Sequence, residues 1–243
     1  MKENINMGDV YDAFADQFAK SDALPTWRYV GKPAMESIFK PFFGNGDATF
    51  LDMGSASARV ERGLLIPNGV KPENITGVEI SPDQVKIAQQ VVPGANFLVG
   101  DITRVELPEN AFNVAFSHMV FEHLDDAQLA AASAIAFKAL KPGGTFGFVV
   151  THPDKMTDVD GNLVTTYGHF QTSAPWGGVL DNWRRSVDDT LKMVREAGFE
   201  IERSEEIKFP EVPEGSSEDD RNAYEKYSKY PFIRLLVVGK KPE

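Results

Sequence analysis

Short apolar runs alternate along the chain with segments whose apolar residues recur every three or four positions. Ala48–Leu51, the run ending at Gly77-Val78-Glu79-Ile80, Ala95–Gly100, Val114–Phe116, Thr145–Thr151, Ile201–Lys208 and Phe232–Val238 have the length and composition of strands. Between them lie helical patterns with start signals. Ser81-Pro82-Asp83-Gln84 supplies a capping serine, a proline at the first helical position and a glutamine two residues on. Asp125 with Gln128 opens an Ala-rich helix that stops at Lys141-Pro142-Gly143-Gly144, and Ser186 with Asp189 opens one that reaches Ala197-Gly198. Tyr11, Phe14 and Phe18 share one face of an N-terminal helix, which either packs on the core or forms a lid, and Met35, Ile38, Phe39 and Phe42 mark a second helix over Pro33–Phe43.

Strands alternating with helices predict a parallel sheet covered on both faces. The segment Phe209–Pro231 before the last strand has no strong crossover pattern, although Asp219–Tyr230 fits a short helix, so the last strand is expected to run antiparallel. The expected fold is α/β: a seven-stranded, mostly parallel, doubly wound sheet with helices on both faces and an antiparallel last strand. One domain spans 1–243, with an N-terminal helical lid over 1–45 and a ligand-binding core over 46–151. Residues 152–185 and 209–231 exceed ordinary loop lengths and are expected to face a substrate. Such sheets bind ligands at the carboxyl ends of their strands, where Asp52, Glu79, Asp101 and Ser117 fall.

Composition narrows the classes. The 243 residues suffice for one α/β domain with a full core. No apolar run approaches the ~20 residues of a membrane span, and Met1–Asn6 is too polar for a signal peptide. The absence of cysteine excludes disulfides and thiolate metal sites and fits a cytoplasmic protein. A net charge of −11 repels phosphate backbones and argues against nucleic acid as partner.

The chemistry centres on Phe50–Val60, where an apolar strand runs into Asp52 and then into a turn of small residues. A dinucleotide fingerprint counted from Gly54 meets Ala56 and then Arg59, where a glycine is needed for close helix–strand packing. The pattern acid-x-G-x-G-x-G reads as Asp52, Gly54, Ala56 and Ala58, with alanine at the two later glycines; alanine there disfavours positive φ. With Glu79 after the second strand, Gly100-Asp101-Ile102 after the third, Phe112–Leu124 and Leu140–Gly144, these residues resemble, in order, the motifs of class I S-adenosylmethionine (SAM)-dependent methyltransferases. The likeness covers roughly Phe50–Val150 and is nearest to the small-molecule type, whose first residues often read Tyr-x-x-x-Ala, as Tyr11 and Ala15 do.

That resemblance implies SAM as cofactor, a Rossmann-like methyltransferase fold, and a cofactor site built from Asp52, Gly54, Ser55, Glu79, Ile80, Asp101, Ile102 and Ser117. It implies that Glu79 accepts the ribose hydroxyls, that Asp101 meets the adenine amino group with Ile102 beside it, and that Ser117 meets the methionine ammonium through its backbone. The expected activity is methyl transfer to an oxygen or nitrogen of a small-molecule acceptor. A SAM-binding enzyme catalysing another reaction, or a non-catalytic SAM-binding module, stays open, as does the choice between monomer and homodimer.

A hydroxyl acceptor calls for a general base. His152, directly after the fifth strand, is the candidate, with His169 next; His123, in Glu122-His123-Leu124, reads as structural. The four histidines lack metal-ligand spacing. Tyr11, Trp27, Tyr167, Trp176 and Trp183 are expected to wall the acceptor, and the acids crowding Glu202–Asp220 favour a neutral or cationic one.

Overall fold

The computed structural model describes residues 5–19 and 23–243. Residues 1–4, part of the polar stretch Met1–Asn6, lie outside that range, as does the Phe18 side chain expected on the first helical face. Strands β1 (Phe50–Met53), β2 (Ile75–Glu79), β3 (Asn96–Val99), β4 (Phe112–His118) and β5 (Leu140–Thr151) alternate with helical segments. A hairpin, β6 (Gly168–Ser173) and β7 (Val179–Arg184), stands apart from the main sheet, and β8 (Glu200–Ile207) and β9 (Arg234–Lys240) complete it. The seven-stranded order is β3-β2-β1-β4-β5-β9-β8, with β9 antiparallel to both of its neighbours. This is the expected sheet, and its antiparallel last strand lies where the sequence pattern puts it. The hairpin is not among the strands expected from sequence, where its segment reads as a long substrate-facing insertion.

Alternation along the strands divides the core. On β5, Phe146, Phe148 and Val150 join one apolar cluster with Phe121, Leu129 and Phe199, while Val149 joins the other with Phe39, Phe50 and Phe116. Each fully buried phenylalanine contributes about 1.5–3 kcal/mol, so these clusters outweigh any surface pairing. Helix α3 (Lys32–Phe39) closes the second cluster by coming very near the sheet. A Cβ on Gly147 would lie 2.8 Å from Ile38, so only glycine admits that approach.

The helix starts follow their local signals. In α4 (Pro82–Val91) the Ser81 hydroxyl accepts the Gln84 N–H at 3.1 Å, and α5 (Asp126–Ala139) opens with a reciprocal Asp125–Gln128 capping box. Helix α6 (Val187–Glu196) is capped by Ser186, and α7 (Glu218–Tyr227) by Ser217. At the N-terminus α1 (Met7–Ala13) and α2 (Ala15–Ala19) precede a wide π-type turn over Trp27–Gly31. Among the described residues no helix is long and apolar enough to cross a membrane.

Candidate active site

The C-terminal ends of the parallel strands open into a cavity of about 570 Å³, within the ~300–1,000 Å³ usual for small-molecule sites. Its first end is built by the loop after β1. Gly54 has φ +101°, and a Cβ there would come within 2.4 Å of Val120 Cγ2, so no larger residue fits. Ala56 and Ala58 follow with φ of 44° and 59°. This corrects the expectation that alanine would move the loop out of positive φ: both alanines adopt the left-handed backbone that glycine adopts freely.

Glu79 at the end of β2 holds that backbone. Its Oε2 accepts the Ala56 N–H and its Oε1 the Ser81 N–H, each at 2.9 Å. Burial pushes this carboxyl above its usual range while the backbone donors oppose the shift. Next to it, Asp101 is fastened by its own turn: Oδ1 accepts the Thr103 N–H at 2.9 Å and hydroxyl at 2.7 Å, and Arg104 pairs with Oδ2. Despite its partial burial, these donors and Arg104 hold Asp101 below the ordinary carboxylate value. Gly54, Glu79, Ile80, Asp101 and Ile102 all line this end of the cavity.

Asp52, Ser55 and Ser117 do not line it. Asp52 lies buried beneath the loop beside Glu61. Burial and the neighbouring Glu61 drive Asp52 well above its ordinary range, and burial pushes Glu61 up to about 7. Ser55 is buried and among the described residues its hydroxyl has no hydrogen-bond partner, though its N–H donates to the Val78 carbonyl at 3.1 Å. The Ser117 hydroxyl donates to the Met53 carbonyl at 2.8 Å, which ties β4 to β1. The next two residues, His118 and Met119, line the cavity instead.

The N-terminal segment and the β6–β7 hairpin cover the middle. Tyr11 and Trp176 meet with ring centroids 5.2 Å apart, and Trp27 packs edge-on against His118 at 5.0 Å; all four line the cavity. The Tyr11 hydroxyl lies 3.3 Å from His123 Nε2, while His123 Nδ1 lies 3.0 Å from the Asp181 carbonyl. Burial and the carboxylates of Glu79 and Glu122 raise the Tyr11 phenol, so it stays protonated. Burial, then Arg59 and Arg234, lowers His118 well below the usual histidine value, so it stays neutral.

Four other expected residues stand elsewhere. His152 does not line the cavity; its Nε2 is 2.7 Å from Glu206 Oε2 and its Nδ1 accepts the Asp154 N–H at 3.2 Å. Thr151 lines the cavity, and one residue further the chain's alternation turns the imidazole toward β8. His169 pairs with Asp181 at 2.8 Å and packs on Trp183 at 4.8 Å, and neither of these rings reaches the cavity. Tyr167 is 65% exposed beneath the Arg184 guanidinium.

The far end of the cavity has residues that the motif reading passes over: Lys155, Met156, Tyr227, Tyr230 and Arg234. Arg234 is a visible sequence signal, one cation inside the apolar strand Phe232–Val238. Between the two ends stands Glu122. Its Oε1 accepts the Thr151 N–H and hydroxyl at 3.3 and 3.1 Å, and among the described residues its buried Oε2 has no hydrogen-bond partner.

Residues 51–148 match a family model described as a methyltransferase domain. The malonyl-[acyl-carrier protein] O-methyltransferase of Serratia marcescens is 32% identical over 76 residues, which are 31% of this chain and 29% of that protein. The 2-methyl-6-phytyl-1,4-hydroquinone methyltransferase of Synechocystis sp. is 33% identical over 99 residues, 40% of this chain and 30% of that protein. The matches thus span under a third of the length of these curated relatives. In fold, the chain is similar to a SAM-dependent methyltransferase from Mesorhizobium loti, with a TM-score of 0.69 and 21% identity over 90% of this chain and 99% of that one.

Proposed function

We propose that this protein, whose residues 51–148 match the methyltransferase-domain family, is a class I SAM-dependent methyltransferase that methylates an oxygen or nitrogen of a small-molecule acceptor held in the same cavity. One observation carries the reading: Glu79, Asp101 and the Gly54 loop meet at adjacent strand ends on one end of a cavity that continues beyond them. The residues fit SAM. Each Glu79 oxygen accepts one backbone N–H and has further acceptor capacity for a ribose hydroxyl. Ile80 and Ile102 offer apolar surface to an adenine ring, and Asp101 stands beside them.

When bound, SAM supplies a methyl group on a positively charged sulfonium, an electrophile that needs alignment more than activation. The chain's own tasks follow. Neutral His118 walls the middle of the cavity without repelling a cation. Tyr11, Trp27 and Trp176 exclude water above it. Glu122 Oε2 takes the proton of a hydroxyl acceptor, because it is a buried, unpartnered carboxylate oxygen on a residue of the lining. The proton role thereby passes from His152 and His169 to Glu122. In this reading the described part of residues 1–45 covers the site through Tyr11 and Trp27, 46–151 hold the cofactor, and 152–185 and 209–231 face the acceptor through Lys155, Trp176 and Tyr227.

An acceptor screen with methyl-labelled SAM tests the proposal. It requires labelled product and S-adenosylhomocysteine in equal amounts. Acceptor turnover with SAM left intact would assign a non-methylating reaction, and binding without turnover a module.

A further inference from the structure

We propose that the acceptor carries a carboxylate or phosphate, received at the far end of the cavity by Arg234, Lys155 and Lys226 around the ring of Tyr227. The inference rests on the methyl-transfer reading above. Arg234 begins β9 opposite Thr151 of β5, is buried, and donates Nη1 to the Ile233 carbonyl at 2.8 Å. Lys155 and Lys226 each bring Nζ to 5.4 Å from the Tyr227 ring centroid. Among the described residues none of these three cations has a carboxylate partner, and all three line the cavity.

That arrangement is costly without an anion. A buried guanidinium keeps its charge, and its desolvation is offset only by a counter-charge or by hydrogen bonds. Glu122, between the two ends, has a charge that opposes the lowering of Arg234 by burial, but only its Oε1 is bonded, to Thr151, and among the described residues it makes no ion pair with Arg234. Lys155 records the same imbalance: burial, then Arg234 and Lys226, lowers it to about 7, against the opposing pull of Glu122. The acids of Glu202–Asp220, which from sequence favour a neutral or cationic acceptor, do not line the cavity.

The cations stand away from the end of the cavity where Glu79 and Asp101 meet. Glu79 lies on β2 and Arg234 on β9, four strand spacings away, or ~19 Å at the usual ~4.8 Å per strand. Arg59 is the cation beside the Gly54 loop. Guanidinium groups bind carboxylate and phosphate in a bidentate fork, and Tyr230 adds lining on this side of the cavity.

The test is calorimetry on protein saturated with S-adenosylhomocysteine, using benzoate and phenyl phosphate against the neutral isostere benzamide. We expect at least one anion to bind about 10-fold or more tightly than benzamide. In Arg234→Gln that preference should fall to within about 3-fold, with S-adenosylhomocysteine affinity unchanged. Lys155→Gln, outside the sheet, should reduce it in the same direction and serves if Arg234→Gln does not fold. Equal binding of benzamide, no binding of either anion at 10 mM (on the order of the weakest specific affinities), or a preference that survives both substitutions overturns the inference. Failure of S-adenosylhomocysteine to bind would overturn instead the reading beneath it.

Discussion

Glu79 accepts the N–H of Ala56 at 2.9 Å, and Ala56 is held at φ 44°. The carboxylate of one strand end thereby fixes the left-handed turn that follows the neighbouring strand, although alanine resists that backbone. The same residue lines the cavity, so under the proposed function one side chain both shapes the loop and meets the cofactor.

Two alanines in left-handed backbone are a cost that glycine removes. Relief of the αL penalty is about 1–2 kcal/mol per residue, and the extra flexibility of glycine in the unfolded chain takes back about 0.4–1 kcal/mol. Ala56→Gly and Ala58→Gly are therefore each expected to stabilise the protein by ~0.5–1 kcal/mol in urea unfolding. A loss of stability in both variants would mean that the loop does not hold these angles in solution.

The Asp52–Glu61 pair beneath the loop predicts a pH effect. Glu61 is raised from 4.5 to about 7, so its protonation stabilises the folded state. That contribution is fully present below the unfolded value and is lost as pH rises through about 7. Glu61→Gln cannot lose a proton. Its melting temperature should fall less than that of the wild type between about pH 4.5 and 8. Parallel curves for the two proteins would show that the pair does not titrate there.

Proton transfer separates two residues that adjoin one another through Thr151. Glu122→Gln should lower turnover of a hydroxyl acceptor by about 10²–10⁴-fold, the usual range for a general base, with SAM affinity retained. His152→Gln should leave turnover largely unchanged and cost stability, because it removes the contact with Glu206. The reverse pattern, measured on one identified acceptor, would return the proton to His152.

Where physics is local, the sequence carried the structure. Ser81 with Gln84 and Asp125 with Gln128 cap their helices through atoms three residues apart, so type and position were legible. The strand-end acids were legible too, because an apolar run ending in Glu79 or Asp101 leaves that acid at the sheet edge. Side-chain direction beyond a strand end was not. His152 follows Thr151 by one residue and points the other way. The β6–β7 hairpin escaped because its pairing, from Gly168 with Arg184 to Ser173 with Val179, relies on a turn carrying Gly177 and Gly178, both at positive φ, within a long insertion. The cation cluster joins Lys155, Lys226 and Arg234 from three separate stretches of chain, and no spacing rule connects them.

The central claim is that Glu79 anchors a SAM site. It is tested most directly by titrating S-adenosylhomocysteine into the wild type and Glu79→Gln by calorimetry. In the variant, the new amide NH₂ faces one of the backbone donors, Ala56 N–H or Ser81 N–H, that the carboxylate now accepts. The account predicts micromolar binding, about −8 kcal/mol, for the wild type. It predicts a loss of roughly 1.5–3 kcal/mol in the variant, as for hydrogen bonds to a charged group. Binding of NAD with no binding of S-adenosylhomocysteine, or equal affinity of the two proteins, would contradict it.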